Sequence, residues 1–331
     1  MNVTALAVLI VCVALAFDFT NGFHDSANAI ATSVSTRALT PRVALAMAAV
    51  ANVLGALVST KVAATVGSGI IQPPTGRDGL LIVLAGLLGA IAWNLGTWWL
   101  GLPSSSSHAL IGGLIGAALA GSEGVRWSNL VDKVVVPMVV SPLTGLVLGY
   151  LFMLLLLWLF RRSNYHRTQR RFRWAQVVSA AAMAFGHGSQ DAQKTMGVIA
   201  LTLVVSGHLG KGEAIPLWVI LSAAAAISAG TYSGGWRIMR TVGRRIYKLS
   251  PVSGFAAQTV ASGVLFTAAQ YGLPISTTHV ISTSIMGAGA TRRLSAVRWG
   301  VAGNIVGAWV LTIPAAAAVA ALIWVLLRPL S

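Results

Sequence analysis

Asn21-Gly22-Phe23-His24-Asp25-Ser26-Ala27-Asn28 and His187-Gly188-Ser189-Gln190-Asp191-Ala192-Gln193-Lys194 are two versions of one pattern, and their reading decides the fold. In each, an acid sits inside a strongly apolar run, with a polar residue four positions before it and another three positions after. Small residues fill most of the gaps. On a helix these offsets place all three side chains on one face. A carboxylate is costly to hold inside a membrane, so two acids in matching places point to function.

Composition gives the membrane setting. The 331 residues are 56% hydrophobic and only 9% charged, with mean hydropathy +0.78; soluble chains carry about 25% charged residues. The expected class is an all-α polytopic membrane protein. A net charge of +16 could suggest nucleic acid as a partner. The basic residues, however, lie mostly in short loops between apolar runs, where they orient a protein in a lipid bilayer, so no nucleic-acid partner is expected. The one cysteine, Cys12, lies in the first apolar run and allows no intrachain disulfide. No basic residue precedes Arg37, so the start lacks the charged region of a cleaved signal peptide.

The apolar segments run over 3–36, 43–66, 79–100, 109–120, 133–160, 174–206, 214–235, 251–270, 280–290 and 299–327, with the first and sixth expected to break at the duplicated motif. Most reach the ~20 residues a spanning helix needs, but 109–120 and 280–290 fall short and read as hairpin arms. Each short arm follows a similar polar turn, Gly101-Leu102-Pro103-Ser104-Ser105-Ser106-Ser107-His108 and Gly272-Leu273-Pro274-Ile275-Ser276-Thr277-Thr278-His279. The stretch from Trp127 to Pro142 recurs loosely from Trp299 to Pro314. Two repeats are therefore expected, 1–160 and 174–331, joined by a basic loop at 161–173.

Charge orients the repeats. If connections alternate sides, one side holds Arg37, Arg42, the six arginines of 161–173, five basic residues of 237–248, and Arg292, Arg293 and Arg298, sixteen of the 23 in all. Six lie on the other side and Lys194 lies within a span. The positive-inside rule makes the sixteen cytoplasmic and both termini extracytoplasmic. The loop after the first motif is then inside and the loop after the second outside, so the repeats have inverted topology, with broken helices and two hydroxyl-tipped helical hairpins entering from opposite sides.

The tips carry chemistry. Consecutive hydroxyls leading into a helix offer O–H and free N–H donors at the positive end of a helix dipole, which suits an oxyanion. Pro103 and Pro274 fit a helix broken where it lines a cavity. The cradle is expected from Ser104, Ser105, Ser106 and Ser107 on one side and Ser276, Thr277 and Thr278 on the other. A single such tip would more readily be read as hydroxyls bonding their own backbone or packing between helices; a matched pair favours the cradle. Asp25 and Asp191 supply negative charge for a cation or proton travelling with the anion. Two carboxylates repel an anion until a cation neutralises them, and that repulsion couples the two ligands reciprocally. Asn28 and Lys194, one turn on, are candidate anion donors; simple pairing of Asp191 with Lys194 is the alternative. His24 and His187 are candidate proton relays, with His108 and His279 flanking the tips. His166 and His208 read as loop residues.

At these residues the chain resembles the inorganic phosphate transporter family, the low-affinity Pit-type permeases. Both signatures and both proline–hydroxyl–histidine tips match, over essentially the whole chain. The resemblance implies symport of inorganic phosphate with sodium or protons as the coupling cation, in a multi-pass cell membrane protein that forms a homodimer. It implies that the signature carboxylates and amides, here Asn21, Asp25, Gln190 and Asp191, lie at the coupling site and that hairpin hydroxyls bind phosphate. No resident cofactor is expected. Gln190 departs from the asparagine usual before the second acid. Sodium-coupled members carry a glutamate in the helix after the first signature, whereas this chain has Asn52 and no acid in 43–66. That inclines the expectation toward protons, with phosphate carried as a neutral complex with a divalent metal. A sulfate permease of the same fold is the runner-up; an ionised acceptor such as Asp25 would favour phosphate, which keeps a donor hydrogen at neutral pH. A hydrolase needs one nucleophile activated by one base, and duplication does not serve that. A passive channel would fail to accumulate its ion against a gradient.

Overall fold

The computed structural model describes residues 2–330 and is almost entirely helical. The all-α expectation holds, with one addition: Ile71–Gln72 (β1) and Gly124–Val125 (β2) pair antiparallel. By length and composition, five helices of the described residues can cross a membrane, or seven when each of two bent pairs counts as one span.

Helix α1 spans Val3–Ser35 and α8 spans Tyr165–Val205, and both run unbroken through the duplicated motifs. This corrects the expected interruptions. The small residues there permit close helix approach instead of unwinding. A Cβ on Gly22 would come within 3.0 Å of Gly230 Cα, on the crossing helix α9 (Leu217–Ser233). One on Gly188 would come within 2.6 Å of Asn52 Cα, on α2 (Pro41–Ala56).

The breaks fall in those crossing helices. Helix α2 meets α3 (Lys61–Gly69) at a bend of 75°, and Ser59 Oγ accepts the Lys61 N–H at 3.2 Å as the second segment starts. Helix α9 meets α10 (Trp236–Arg240), which a π-turn extends to Arg245, at 59°. Gly234 makes that corner with φ +80°, a conformation that glycine adopts without strain.

The two hairpins form as expected, from α4 (Arg77–Leu100) with α5 (Ser106–Ala120) and from α11 (Pro251–Gln270) with α12 (Thr277–Ala290). Gly101 and Gly272 end the first arms in the left-handed region, with φ +66° and +65°. Prolines at 103 and 274 prevent continuation, and Ser105 and Ser276 then cap the second arms by accepting the His108 and His279 N–H at 3.2 and 3.3 Å. Helices of 15 and 14 residues are shorter than the ~20 needed to cross, so α5 and α12 enter and stop. Their N-terminal ends meet, the His108 and His279 rings standing edge to face with centroids 4.6 Å apart.

Contacts between the halves are reciprocal. Helix α9 lies on α1 and α2 on α8. Helix α7 (Val136–Leu159), which continues α6 (Trp127–Leu130) through a π-turn over 131–135, packs against α12, and α13 (Trp299–Leu327) packs against α5. Each hairpin turn is also strapped to a bent span of the opposite half. Lys61 Nζ donates to Gln270 O at 3.1 Å and Thr65 Oγ1 to Gly272 O at 2.8 Å. Arg237 Nη1 donates to Trp99 O at 2.6 Å and Thr241 Oγ1 to Gly101 O at 2.9 Å. In both straps a cation meets the negative end of a helix dipole.

The segment 161–173 is not all loop, as the sequence reading had it. Asn164 caps α8 by accepting the Arg167 N–H at 3.2 Å, and arginine-rich sequence is a good helix former, so the connecting turn ends at Asn164. At about 1.5 Å per residue, the 41 residues of α8 outrun a membrane core of ~30 Å, leaving its basic first turns beyond the core.

Candidate functional site

The site lies where the middles of α1 and α8 meet the tips of α5 and α12. Asp25 Oδ2 accepts from Ser106 Oγ at 3.1 Å, and Oδ1 accepts from Thr278 Oγ1 at 3.2 Å. Asp191 Oδ1 accepts from Ser107 Oγ at 3.4 Å, and Oδ2 accepts from Thr277 Oγ1 at 3.1 Å. Each carboxylate thus takes one hydroxyl from each tip. All six residues are buried.

Cationic and imidazole partners complete the arrangement. His24 Nδ1 lies 2.8 Å from Asp25 Oδ1, and its Nε2 lies 3.2 Å from Thr97 Oγ1. Lys194 Nζ donates to Asp191 Oδ1, to Ser107 Oγ and, at 2.8 Å, to the Ile275 carbonyl. His187 Nδ1 lies 3.1 Å from Asn52 Oδ1, whose amide nitrogen donates to Thr231 Oγ1 at 2.8 Å. With Asn52 assigned as acceptor, Nδ1 carries the ring proton of neutral His187. Its Nε2 then faces Asp191 Oδ2 at 3.1 Å, acceptor against acceptor, unless a proton or cation joins them. Asp25, His187 and Asp191 bring ligand atoms within 4.8 Å of one another, the one such cluster among the described residues able to hold a cation.

Of the seven tip hydroxyls expected in the cradle, Ser106, Ser107, Thr277 and Thr278 reach the carboxylates. Ser104 pairs with Thr97 at 2.8 Å and lies 3.4 Å from His24 Nε2, while Ser105 and Ser276 act as helix caps. Asn28 Nδ2 donates to Thr278 Oγ1 at 2.8 Å, and its Oδ1 has no protein partner. Gln190 donates from Nε2 to the Leu265 and Leu273 carbonyls, each at 3.3 Å, and so holds the α11–α12 turn instead of facing Asp191. Asn21 is buried with Oδ1 unpartnered. His108 is buried against His279, which stacks on Trp309 with centroids 3.9 Å apart.

Sequence reasoning passed over Thr97, Thr231 and Trp309, whose indole donates to Pro103 O at 2.9 Å. Thr97 and Thr231 are single residues outside the duplicated stretches, and Trp309 lies in the loose third repeat, where the first half has Pro137 at the matching position. It also passed over Asp18, a fully buried acid on α1. The membrane cost of a carboxylate would have found it, but it has no duplicate.

Residues 21–320 match the model described as "Phosphate transporter family". A probable low-affinity inorganic phosphate transporter of Rhizobium meliloti is 50% identical over 320 residues, covering 96% of this chain and 95% of that protein. A protein of the same description from Bacillus subtilis is 45% identical over 325 residues, covering 98% and 97%. Among solved structures, "The sodium-dependent phosphate transporter" matches with a TM-score of 0.88 at 26% identity, covering 99% of this chain and all of that one (100%).

Proposed function

The chain belongs to the phosphate transporter family, and from that premise we propose that it imports inorganic phosphate across a cell membrane by symport with a cation, the proton being favoured. The observation that carries the mechanism is the crossed pairing of tips and carboxylates. Ser106 and Thr278 are held by Asp25, and Ser107 and Thr277 by Asp191. Those four hydroxyls are the donors an oxyanion would need.

Ionised carboxylates and phosphate therefore compete for one set of donors. Placing a proton or cation among Asp25, His187 and Asp191 weakens the carboxylates as acceptors and turns the hydroxyls toward phosphate. It also loosens Lys194 from Asp191, adding an ammonium donor for the anion. Neither ligand binds well alone, and by linkage each strengthens the other.

An imidazole nitrogen in the cluster suits a proton better than an alkali ion, which takes oxygen ligands. Asn52, an amide that orients His187, supports the same choice. Phosphate enters as the free anion or as a neutral complex with a divalent metal as cargo.

The reciprocal contacts support two inverted repeats, 1–160 and 174–331, that rock about the midplane site in alternating access. The termini are extracytoplasmic, and the basic start of α8 is cytoplasmic.

Uptake of labelled phosphate into proteoliposomes tests this. Accumulation under an inward proton gradient, unaffected by excess sulfate, is expected. Accumulation only under a sodium gradient would replace the proton, and no uptake under either gradient would refute phosphate symport.

A further inference from the structure

Asp18 stands seven residues before Asp25 on α1, on the face shared by Asn21, Asp25 and Asn28. It is 0% exposed, and neither carboxylate oxygen meets a donor in good hydrogen-bond geometry, although the Thr195 hydroxyl and the Asn21 side chain stand beside it. Asp25 and Asp191 differ, since each is surrounded by hydroxyls and a basic group. Its polar neighbours are Asn21, one turn on, and Thr195 on α8. Asn21 Oδ1 and Thr195 Oγ1 are themselves without partners. The charged groups that face Asp18 are Asp191 and Lys194, both on α8 and already paired with each other.

A single proton resolves this set. An ionised carboxylate among these groups would bury an uncompensated charge, which a membrane interior resists. With a proton, Asp18 gains an O–H that can donate to Asn21 Oδ1, while its other oxygen can accept from the Thr195 hydroxyl. The matching position of the second half, seven residues before Asp191, is Ala184. The duplicated site therefore carries one acid without a duplicate.

We propose that Asp18 carries the coupling proton, receiving it on the extracytoplasmic side of the phosphate site and passing it toward Asp25 and Asp191. This rests on the symport reading above. Seven residues of helix place Asp18 about 10 Å from Asp25 along α1, on the side of the N-terminus. In the proposed orientation that side faces the source of the imported ions. A proton bound there leaves the two inner carboxylates on their hydroxyls until phosphate arrives. Transfer inward then frees the donors, and release into the cell leaves Asp18 to be recharged from outside.

The test uses Asp18→Asn in proteoliposomes loaded with a pH-sensitive dye, measuring phosphate-driven acidification of the interior, concentrative uptake and phosphate–phosphate exchange. Acidification and concentrative uptake should fall by at least about tenfold while exchange continues, the range expected when a coupling energy is removed. Asp18→Glu should restore acidification in part. Acidification by Asp18→Asn at the wild-type rate would overturn the proposal, and so would joint loss of exchange and acidification in both variants, which marks a structural role. If wild type accumulates phosphate with sodium and no acidification, the proton assignment falls. If wild type moves no phosphate at all, the transport reading itself fails.

Discussion

Thr277 Oγ1 donates to Asp191 Oδ2 across the interface between the α12 tip and α8, at 3.1 Å, while its neighbour Thr278 reaches the other carboxylate, Asp25, at 3.2 Å. Two adjacent residues thus divide between two acids from different halves of the chain. Replacing either hydroxyl by an isosteric methyl removes one donor without changing side-chain size. Thr277→Val and Thr278→Val should each raise the KM for phosphate on the order of tenfold, as expected for a hydrogen bond to a charged group, with little change in protein yield. Initial-rate uptake measurements decide this; an unchanged KM in both variants removes the tip hydroxyls from phosphate binding.

Asp25 bears on selectivity. An ionised acceptor favours an anion that still has a hydrogen to donate, and Asn supplies a neutral acceptor in its place. Asp25→Asn should nearly abolish concentrative uptake with the protein still inserted. In binding assays it should lower the preference for phosphate over sulfate by roughly fivefold or more. Retained preference would place the discrimination elsewhere.

The straps from Lys61 to Gln270 and from Arg237 to Trp99 hold opposite hairpin turns. Releasing one should loosen one turn and leave the other. With the exposed Cys12 first replaced by serine, Arg237→Ala should speed maleimide labelling of a cysteine placed at Leu102. Lys61→Ala should do so at Leu273. Each change should be a few-fold, as a single exposed hydrogen bond contributes about 1 kcal/mol. Equal effects of either variant at both turns would show that the turns are not held independently.

The crossing of α1 and α9 tolerates no side chain at Gly22, because the neighbour is the backbone of Gly230 and Thr231. Gly22→Leu should collapse the yield of monodisperse protein on size-exclusion chromatography in detergent, whereas Gly96→Ala, with nothing within 4 Å of the new methyl, should not.

Much of this was legible in the sequence, because duplication makes a polar pattern stand out from an apolar background. The hairpins announced themselves through glycine, proline and serine in a fixed order, each residue type being required at that point of a helix stop and restart. The helix breaks were misplaced for a physical reason. Glycines and serines at 22–26 and 188–189 suggested unwinding, but they allow close approach by α9 and α2, and the bends belong to those partners at 57–60 and 234–235. Helical arginines at 167–173 read as loop because charge alone does not distinguish a solvated helix from a turn. Which hydroxyls face the carboxylates was beyond reach, since Ser104, Ser105, Ser106 and Ser107 are alike in sequence and differ only in their direction around the turn. Asp18, single and unduplicated, escaped the same filter that found its neighbours.

The competition between carboxylate and anion is tested most directly at Asp191. Equilibrium binding of labelled phosphate to the purified protein, at one pH and without a gradient, would be compared between wild type and Asp191→Asn, alongside concentrative uptake by both. The substitution removes the charge that holds Ser107, Thr277 and Lys194. If those groups are shared with phosphate, Asp191→Asn binds it on the order of tenfold more tightly while concentrative uptake is lost, because the charge-assisted bonds are freed and the coupling step is gone. Weaker binding by Asp191→Asn, or concentrative uptake at the wild-type rate, would contradict it.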